Sequence, residues 1–421
     1  MCTIDPGVRP QPLGIFPLPA GHLVLPPVAD ADPALADLLR GRVPETLPPA
    51  WRFFACACAG DAADALAALT DDLSPEAGYN RFVLSGDPTL YRALRAEAQG
   101  DLALLLDVVA YTLGLADRPP DPADSTGEVR AFVLMACAAY ALEHDAPVRA
   151  ESDLEAGIAS ALPVSPLLAA QLHLTLAETR LRRPDAAVLA IQHYRQALSL
   201  LAGSGLDDVR AHAWLSLGML YQECAGGQRA PMLEAVKCYQ EALRFFSRAM
   251  YPEMYALAQN NLALAYLAMP LTEASDQLRM AIAVQSLREA LTVFTREGHP
   301  QLWSSTCLNL ANALQYLPSA RPEEHLAEAI ELYEQVLATR DPDADPLGYG
   351  RVLANQGNAL AHLGIFTHAR PKLQEAARRF AAGGDHESAA TVREMLQSIE
   401  QHVLAQKEAQ RNNGGVSAPA V

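Results

Sequence analysis

A phrase that returns at long spacing constrains this chain more than its composition does. Pro252-Glu253-Met254-Tyr255, Pro300-Gln301-Leu302-Trp303 and Pro346-Leu347-Gly348-Tyr349 each set an aromatic three residues after a proline, and Ala263, Ala311 and Gly357 follow those prolines by eleven. The prolines are 48 and 46 residues apart. A second phrase keeps the same beat: Tyr194-Arg195-Gln196-Ala197-Leu198, Tyr239-Gln240-Glu241-Ala242-Leu243, Leu287-Arg288-Glu289-Ala290-Leu291, Tyr333-Glu334-Gln335-Val336-Leu337 and Leu373-Gln374-Glu375-Ala376-Ala377. Such a period marks an array of units, each too small to bury a core alone and therefore stacked on its neighbours.

Between residues 166 and 404 each unit reads as two helices. Helix A opens at the proline, whose missing N–H would have no partner at that position in any case. Helix B closes on the second phrase, and its starts are marked by Pro231, Thr272 and Pro322, the last followed by Glu323 and Glu324 at the positive helix end. Alternating β-branched runs are absent, so no strand competes. Ahead of the array, eleven prolines among the first 50 residues read as an extended arm over 1–49. Residues 50–165 show helical spacing in Trp51 to Leu69, Pro88 to Leu115 and Glu128 to Leu142 without a convincing copy of the phrase, and read as an irregular cap or as divergent repeats. A polar helix from Asp385 to Gln406 closes the array, and 405–421 reads as a disordered tail.

Charge and cysteine usage narrow the function classes. The formal net charge is −17. Residues 1–165 hold 23 acids against 10 arginines (net −13), and the rest hold 26 acids against 22 bases (net −4). A field of that sign repels phosphate backbones, so no nucleic-acid partner is expected. The seven cysteines are odd in number and scattered, which points to buried thiols in a reducing compartment. No apolar run is long enough to span a bilayer and no leader pattern opens the chain, so a cytoplasmic protein without a membrane partner is expected.

The units resemble tetratricopeptide repeats. Trp214, Leu217, Gly218 and Tyr221 match helix A of one unit, and Ala235, Tyr239 and Ala242 its helix B. Asn261, Leu262, Ala263 and Tyr266 pair with Ala283, Leu287 and Ala290; Asn309, Leu310, Ala311 and Asn312 with Ala329 and Tyr333; Asn355, Gly357 and Asn358 with Ala369, Leu373 and Ala376. An earlier, weaker unit uses Ala177, Ala190, Tyr194 and Ala197. The small residue of helix A and the first alanine of helix B are 12 apart in the last unit, as in that family, but 17, 20 and 18 apart in the three before it. This longer form is similar to bacterial arrays of repeats near 48 residues, some joined to caspase-like proteases. Neither His144 nor Cys137 sits in such a protease's catalytic phrase. The resemblance implies an all-α, right-handed α-solenoid of helical hairpins. Trp214, Gly218, Tyr239, Ala263, Ala311, Tyr333 and Gly357 would pack the repeats. The A helices would line a groove for a partner's peptide or helix, receiving His212, Met219, Asn260, Ser305, Asn312, Arg351 and Asn358. Asn261, Asn309 and Asn355 would instead bond between neighbouring repeats.

Sites of other kinds find little support. Cys56-Ala57-Cys58 splays its thiols by about 200° on a helix and has no second ligand pair, so no metal is expected. His362 and His368 lack zinc-helix spacing. Gly348-Tyr349-Gly350 follows no strand, Gly203-Ser204-Gly205 lacks nucleophile-elbow spacing, and no phosphate-loop signature occurs. Glu323, Glu324 and Glu328 read as a solvated helix face. No cofactor is expected, and the sequence leaves the oligomeric state open. The reading is a non-catalytic scaffold or adaptor for a partner protein. The alternatives are an assembly chaperone for a multisubunit enzyme, a ligand-responsive sensor, or an enzyme with its site within 50–165.

Overall fold

The computed structural model describes residues 13–14, 16, 18–26, 33–183, 186–270 and 276–414, excepting the side chains of 276 and 406–414. Thr272, much of the proline-rich arm and the last seven residues lie outside them. The chain divides into two compact units, Met1–Leu220 and Tyr221–Val421. Unit 1 holds α1 (Pro33–Leu38), α2 (Arg52–Cys58), α3 (Ala62–Ala68), α4 (Pro75–Ser85), α5 (Pro88–Glu97), α6 (Gly100–Thr112), α7 (Gly127–Glu143), α8 (Pro147–Ala161), α9 (Pro166–Arg180) and α10 (Ala187–Leu200). The division falls within α11 (Asp207–Cys224). Unit 2 continues with α12 (Arg229–Leu243), α13 (Pro252–Ala268), α14 (Asp276–Leu291), α15 (Pro300–Tyr316), α16 (Pro322–Leu337), α17 (Pro346–His362), α18 (Phe366–Ala382) and α19 (His386–Gly414). Among the described residues there is no named strand, only two isolated bridges.

In unit 2 each helix packs on the next, as a short solenoid of hairpins α13/α14, α15/α16 and α17/α18. The recurring prolines stand in the first turn of α13, α15, α16 and α17. Pro231 is different: α12 starts at Arg229, so the proline is its third residue, still within the turn whose N–H groups have no helical partner. Asp345 caps α17 by accepting from Gly348 N at 2.8 Å. The same hairpin turns at Gly364, left-handed at φ +73°, where Ile365 N reaches back to Leu360 O at 2.9 Å. The small residues of the three hairpins are buried as a close crossing needs: Ala263 of α13 and Ala311 of α15 are fully buried, as are Ala369, Leu373 and Ala376 of α18 opposite Gly357. The closing helix starts at His386, with Asp385 Oδ1 accepting from Ser388 N at 3.0 Å. It runs to Gly414, so residues 405–414, expected to begin the tail, are helical; Gln406-Lys407-Glu408-Ala409-Gln410-Arg411 is a run of strong helix formers.

Unit 1 departs further from expectation. The stretch Trp51 to Leu69 breaks into α2 and α3 at Gly60, whose φ is +81°. Pro88 to Leu115 breaks at Ala98 and Gln99, both extended, into α5 and α6. The strongest hairpin of this unit, α7/α8, carries none of the repeat phrase, yet Ala131, Ala138 and Ala141 meet Ala150, Leu154 and Ala161 in one core with α9. Small residues therefore bring these helices together by the same physics without the same words.

The described part of the arm packs against the helices of unit 1. Gly14 N donates to Leu23 O at 2.7 Å, and Leu18 and Gly21 exchange both backbone bonds, so the described residues among 13–24 double back as a small hairpin. Leu13, Leu23, Val24 and Leu25 are at most 2% exposed. Buried backbone groups need partners, and side chains supply them. Val24 N donates to Asn80 Oδ1 and Asn80 Nδ2 donates to Val24 O, both at 2.8 Å. Tyr79 OH donates to His22 O at 2.7 Å, Trp51 Nε1 to Pro26 O at 2.9 Å, and Leu13 N to Glu128 Oε1 at 3.0 Å.

Candidate protein-interaction face

The A helices of unit 2 are tied to one another by polar rungs. Thr306 Oγ1 of α15 donates to Asn260 Oδ1 of α13 at 3.3 Å. Asn355 Nδ2 of α17 donates to Asn312 Oδ1 of α15 at 2.9 Å, and Asn358 Nδ2 to Gln315 Oε1 at 3.3 Å. The fully buried Tyr333 of α16 joins the second rung, its OH donating to Asn312 Oδ1 at 2.6 Å while Gln315 Nε2 donates to the same OH. Below these rungs Gln356, 1% exposed, donates to Ile330 O at 3.3 Å and to Glu334 Oε2 at 2.7 Å. That bond and Lys372 hold the Glu334 carboxyl below its usual range.

Asn260, Asn312 and Asn358 are half-buried, with their amides on the rungs, while Ser305 and Arg351 are exposed. Ser305 Oγ turns back to Gln301 O of its own helix. Arg351 adds to the Ser388 hydrogen bonds that keep Asp385 low. In unit 1, His212 and Met219 are exposed on α11, with His212 Nδ1 2.8 Å from Asp208 O. Asn355 bonds between repeats, whereas Asn261 accepts from its neighbour Asn260 at 3.3 Å. Among the packing residues, Tyr239 is fully buried and donates to Gln222 Oε1 at 2.9 Å, Gly218 is buried and Trp214 half-buried.

Two glutamines of the A helices that the sequence reading missed, Gln222 and Gln315, bond to the buried tyrosines of helix B. A signal was present: each glutamine follows the small residue of helix A by four, and a buried tyrosine of helix B comes 17 or 18 residues later. At the end of the unit-2 face a cavity of about 460 Å³ opens between α17, α18 and α19. Asn358, His362, Phe366, Met395, Ser398 and His402 line it, with the Phe366 and His402 rings 5.5 Å apart.

Among the described residues no three His, Cys, Asp or Glu side chains converge on a metal position. Cys58 is half-buried, and burial pushes its thiol up to about 11, away from the reactive thiolate. No helix among the described residues is long and apolar enough to cross a membrane.

No protein-family profile matches the chain, and no curated protein matches it in sequence. Solved structures do resemble it. One is a signal-transduction ATPase with numerous domains and a tetratricopeptide repeat sensor from Pyrococcus horikoshii, at 11% identity over 81% of this chain and 47% of that one, TM-score 0.48. Another is BtubC (BKLC) from P. vanneervenii, at 22% identity over 60% of this chain and 89% of that one, TM-score 0.40. A third is a Rap protein complexed with competence and sporulation factor, at 13% identity over 84% and 97%, TM-score 0.36. Each TM-score is below 0.5, so none of these proteins says what this chain binds. By their own pairing and small-residue crossings, the helices of unit 2 form hairpins that resemble tetratricopeptide repeats.

Proposed function

We propose that the A-helix face of unit 2 holds an extended segment of a partner protein, and that the chain acts as a non-catalytic adaptor or scaffold. One observation carries the reading. Two rung asparagines are each held by one end of the amide and leave the other unused: Asn312 accepts through Oδ1, and among the described residues its Nδ2 meets no acceptor, while Asn358 donates through Nδ2 and its Oδ1 meets no donor; Asn260 uses both ends. A donor and an acceptor fixed in neighbouring repeats suit a peptide backbone, which offers C=O and N–H groups at regular intervals. Exposed Arg351 on the same face adds a site for a carboxylate.

The test is capture of partners from lysate, read by mass spectrometry, on the native chain and on an Arg351→Ala/Asn358→Ala variant of equal helicity and unfolding midpoint. A protein enriched on the native chain is expected to be lost on the variant. A peptide from it should then bind the variant about tenfold or more weakly, two hydrogen bonds at about 1 kcal/mol each. Equal capture by both chains would remove the face from consideration.

A further inference from the structure

Three consecutive helices of unit 1 are joined by a chain of charged and imidazole groups that small-residue packing does not require. Arg180, at the end of α9, has a side chain only 10% exposed and holds two carboxylates of α8, Glu151 at 3.3 Å and Glu155. Arg183, just past α9, meets Glu151 again at 3.0 Å. The Arg180 guanidinium also contacts His193 Nε2 of α10, and His193 Nδ1 stands 2.8 Å from His173 Nδ1 of α9.

Taken as hydrogen bonds, these contacts allow one arrangement of protons. A guanidinium only donates, so His193 Nε2 accepts and the His193 proton sits on Nδ1. That proton is given to His173 Nδ1, and the His173 proton then sits on Nε2. Both rings must therefore be neutral. A proton added at His173 Nδ1 would face the Nδ1–H of His193, and one added at His193 Nε2 would face Arg180. The ionised groups around the rings already balance, with Glu151 and Glu155 from α8 against Arg180 and Arg183, so either proton adds an uncompensated charge. From α11, Ser216 meets the adjacent Tyr194.

We propose that this chain is an acid-sensitive latch: protonation of either imidazole breaks the Arg180–His193–His173 links and frees the α9/α10 hairpin to open. Burial, then Arg180 and His173, push His193 down to about 4 against an opposing pull from Glu151, and burial lowers His173. With a folded value below the unfolded one near 6.5, the folded state binds fewer protons. The latch is closed above about pH 6.5 and is lost as pH falls towards 4.

Amide hydrogen exchange of the full chain, corrected for the intrinsic pH dependence of exchange, tests this at pH 7.4, 6.0 and 5.0. Opening of 166–200 should rise on acidification by at most about tenfold per pH unit for one proton. His193→Gln keeps an acceptor for Arg180 and a donor for His173 and leaves only His173 to titrate, so it should reduce the rise, and His173→Gln/His193→Gln should abolish it. His22 is also pushed down to about 4 by burial, against Gln171 of α9, so its protonation reaches the same helix, and a His22→Gln control should leave the rise in 166–200 intact. An equal rise in the double variant, or none in the native chain, overturns the latch. Should the double variant fail to fold, an NMR titration of the native imidazoles decides: His193 ionising near 6.5 also overturns it.

Discussion

Replacing Gly357 by alanine tests whether the recurring small residue sets the distance between paired helices. A Cβ built there lies 2.7 Å from Leu373 Cγ and 2.8 Å from Leu373 Cδ2, with Ala369 O at 3.4 Å. Carbon atoms rest about 3.5–4.0 Å apart, so α17 and α18 must part, or Leu373 must shift, by about 1 Å. Leu373 is fully buried between Ala369 and Ala376 but also borders the cavity between α17, α18 and α19, so a shift towards that cavity sets the lower end of the cost. Overpacking of this kind costs about 1–3 kcal/mol. Removing a helical glycine returns about 1 kcal/mol, so the single variant sits between neutrality and a loss of about 2 kcal/mol and decides little. The informative measurement is the cycle with Leu373→Ala. That change alone should cost about 2–5 kcal/mol through its cavity. In the double variant the new methyl enters the space that Leu373 vacated, and the two changes should couple favourably by about 1–3 kcal/mol. Urea unfolding of the full chain by far-UV circular dichroism measures the coupling, with amide exchange in α17 and α18 as the local readout. Additivity within about 0.5 kcal/mol would mean that these helices are not held at contact by the missing side chain.

Two further perturbations address the polar networks. Tyr333→Phe removes the hydroxyl that Asn312 and Gln315 share and should cost about 1–3 kcal/mol, against about 1 kcal/mol for Tyr239→Phe, which loses only the bond to Gln222. Equal shifts of the urea midpoint would deny the rung any energetic role. Asn80→Ala leaves Val24 N–H and C=O buried without partners and should cost about 2–5 kcal/mol, with protease cleavage appearing within 13–26. Unchanged stability and unchanged protection of that segment would refute the clamp.

What the sequence discloses here follows from what repetition copies. Ala263, Ala311 and Gly357 announce the close crossings because each recurs at the same place in its unit, and the helix pairs of unit 2 could be drawn from them. The Asn80 clamp joins residues 56 apart in a contact made once, so no second copy in the chain signals it. The α7/α8 hairpin is hidden for the opposite reason: alanine is so common here that Ala131, Ala138 and Ala141 carry no distinctive spacing, although they do the work of the repeat's small residues. The asparagines show a third kind of limit. Reading Asn355 as a bond between repeats and Asn312 as a groove contact treats the two roles as exclusive, yet these residues are the two ends of one hydrogen bond. An amide has a donor end and an acceptor end, and one can serve the stack while the other faces a ligand. On the proposed reading, stacking and binding are coupled at Asn312, where Tyr333 and Asn355 share a single oxygen. An Asn312 variant that loses a partner protein would consequently say little about the face. Asn358, on a rung as well, needs the control of an equal unfolding midpoint, whereas Arg351, exposed and outside the rungs, separates the two roles.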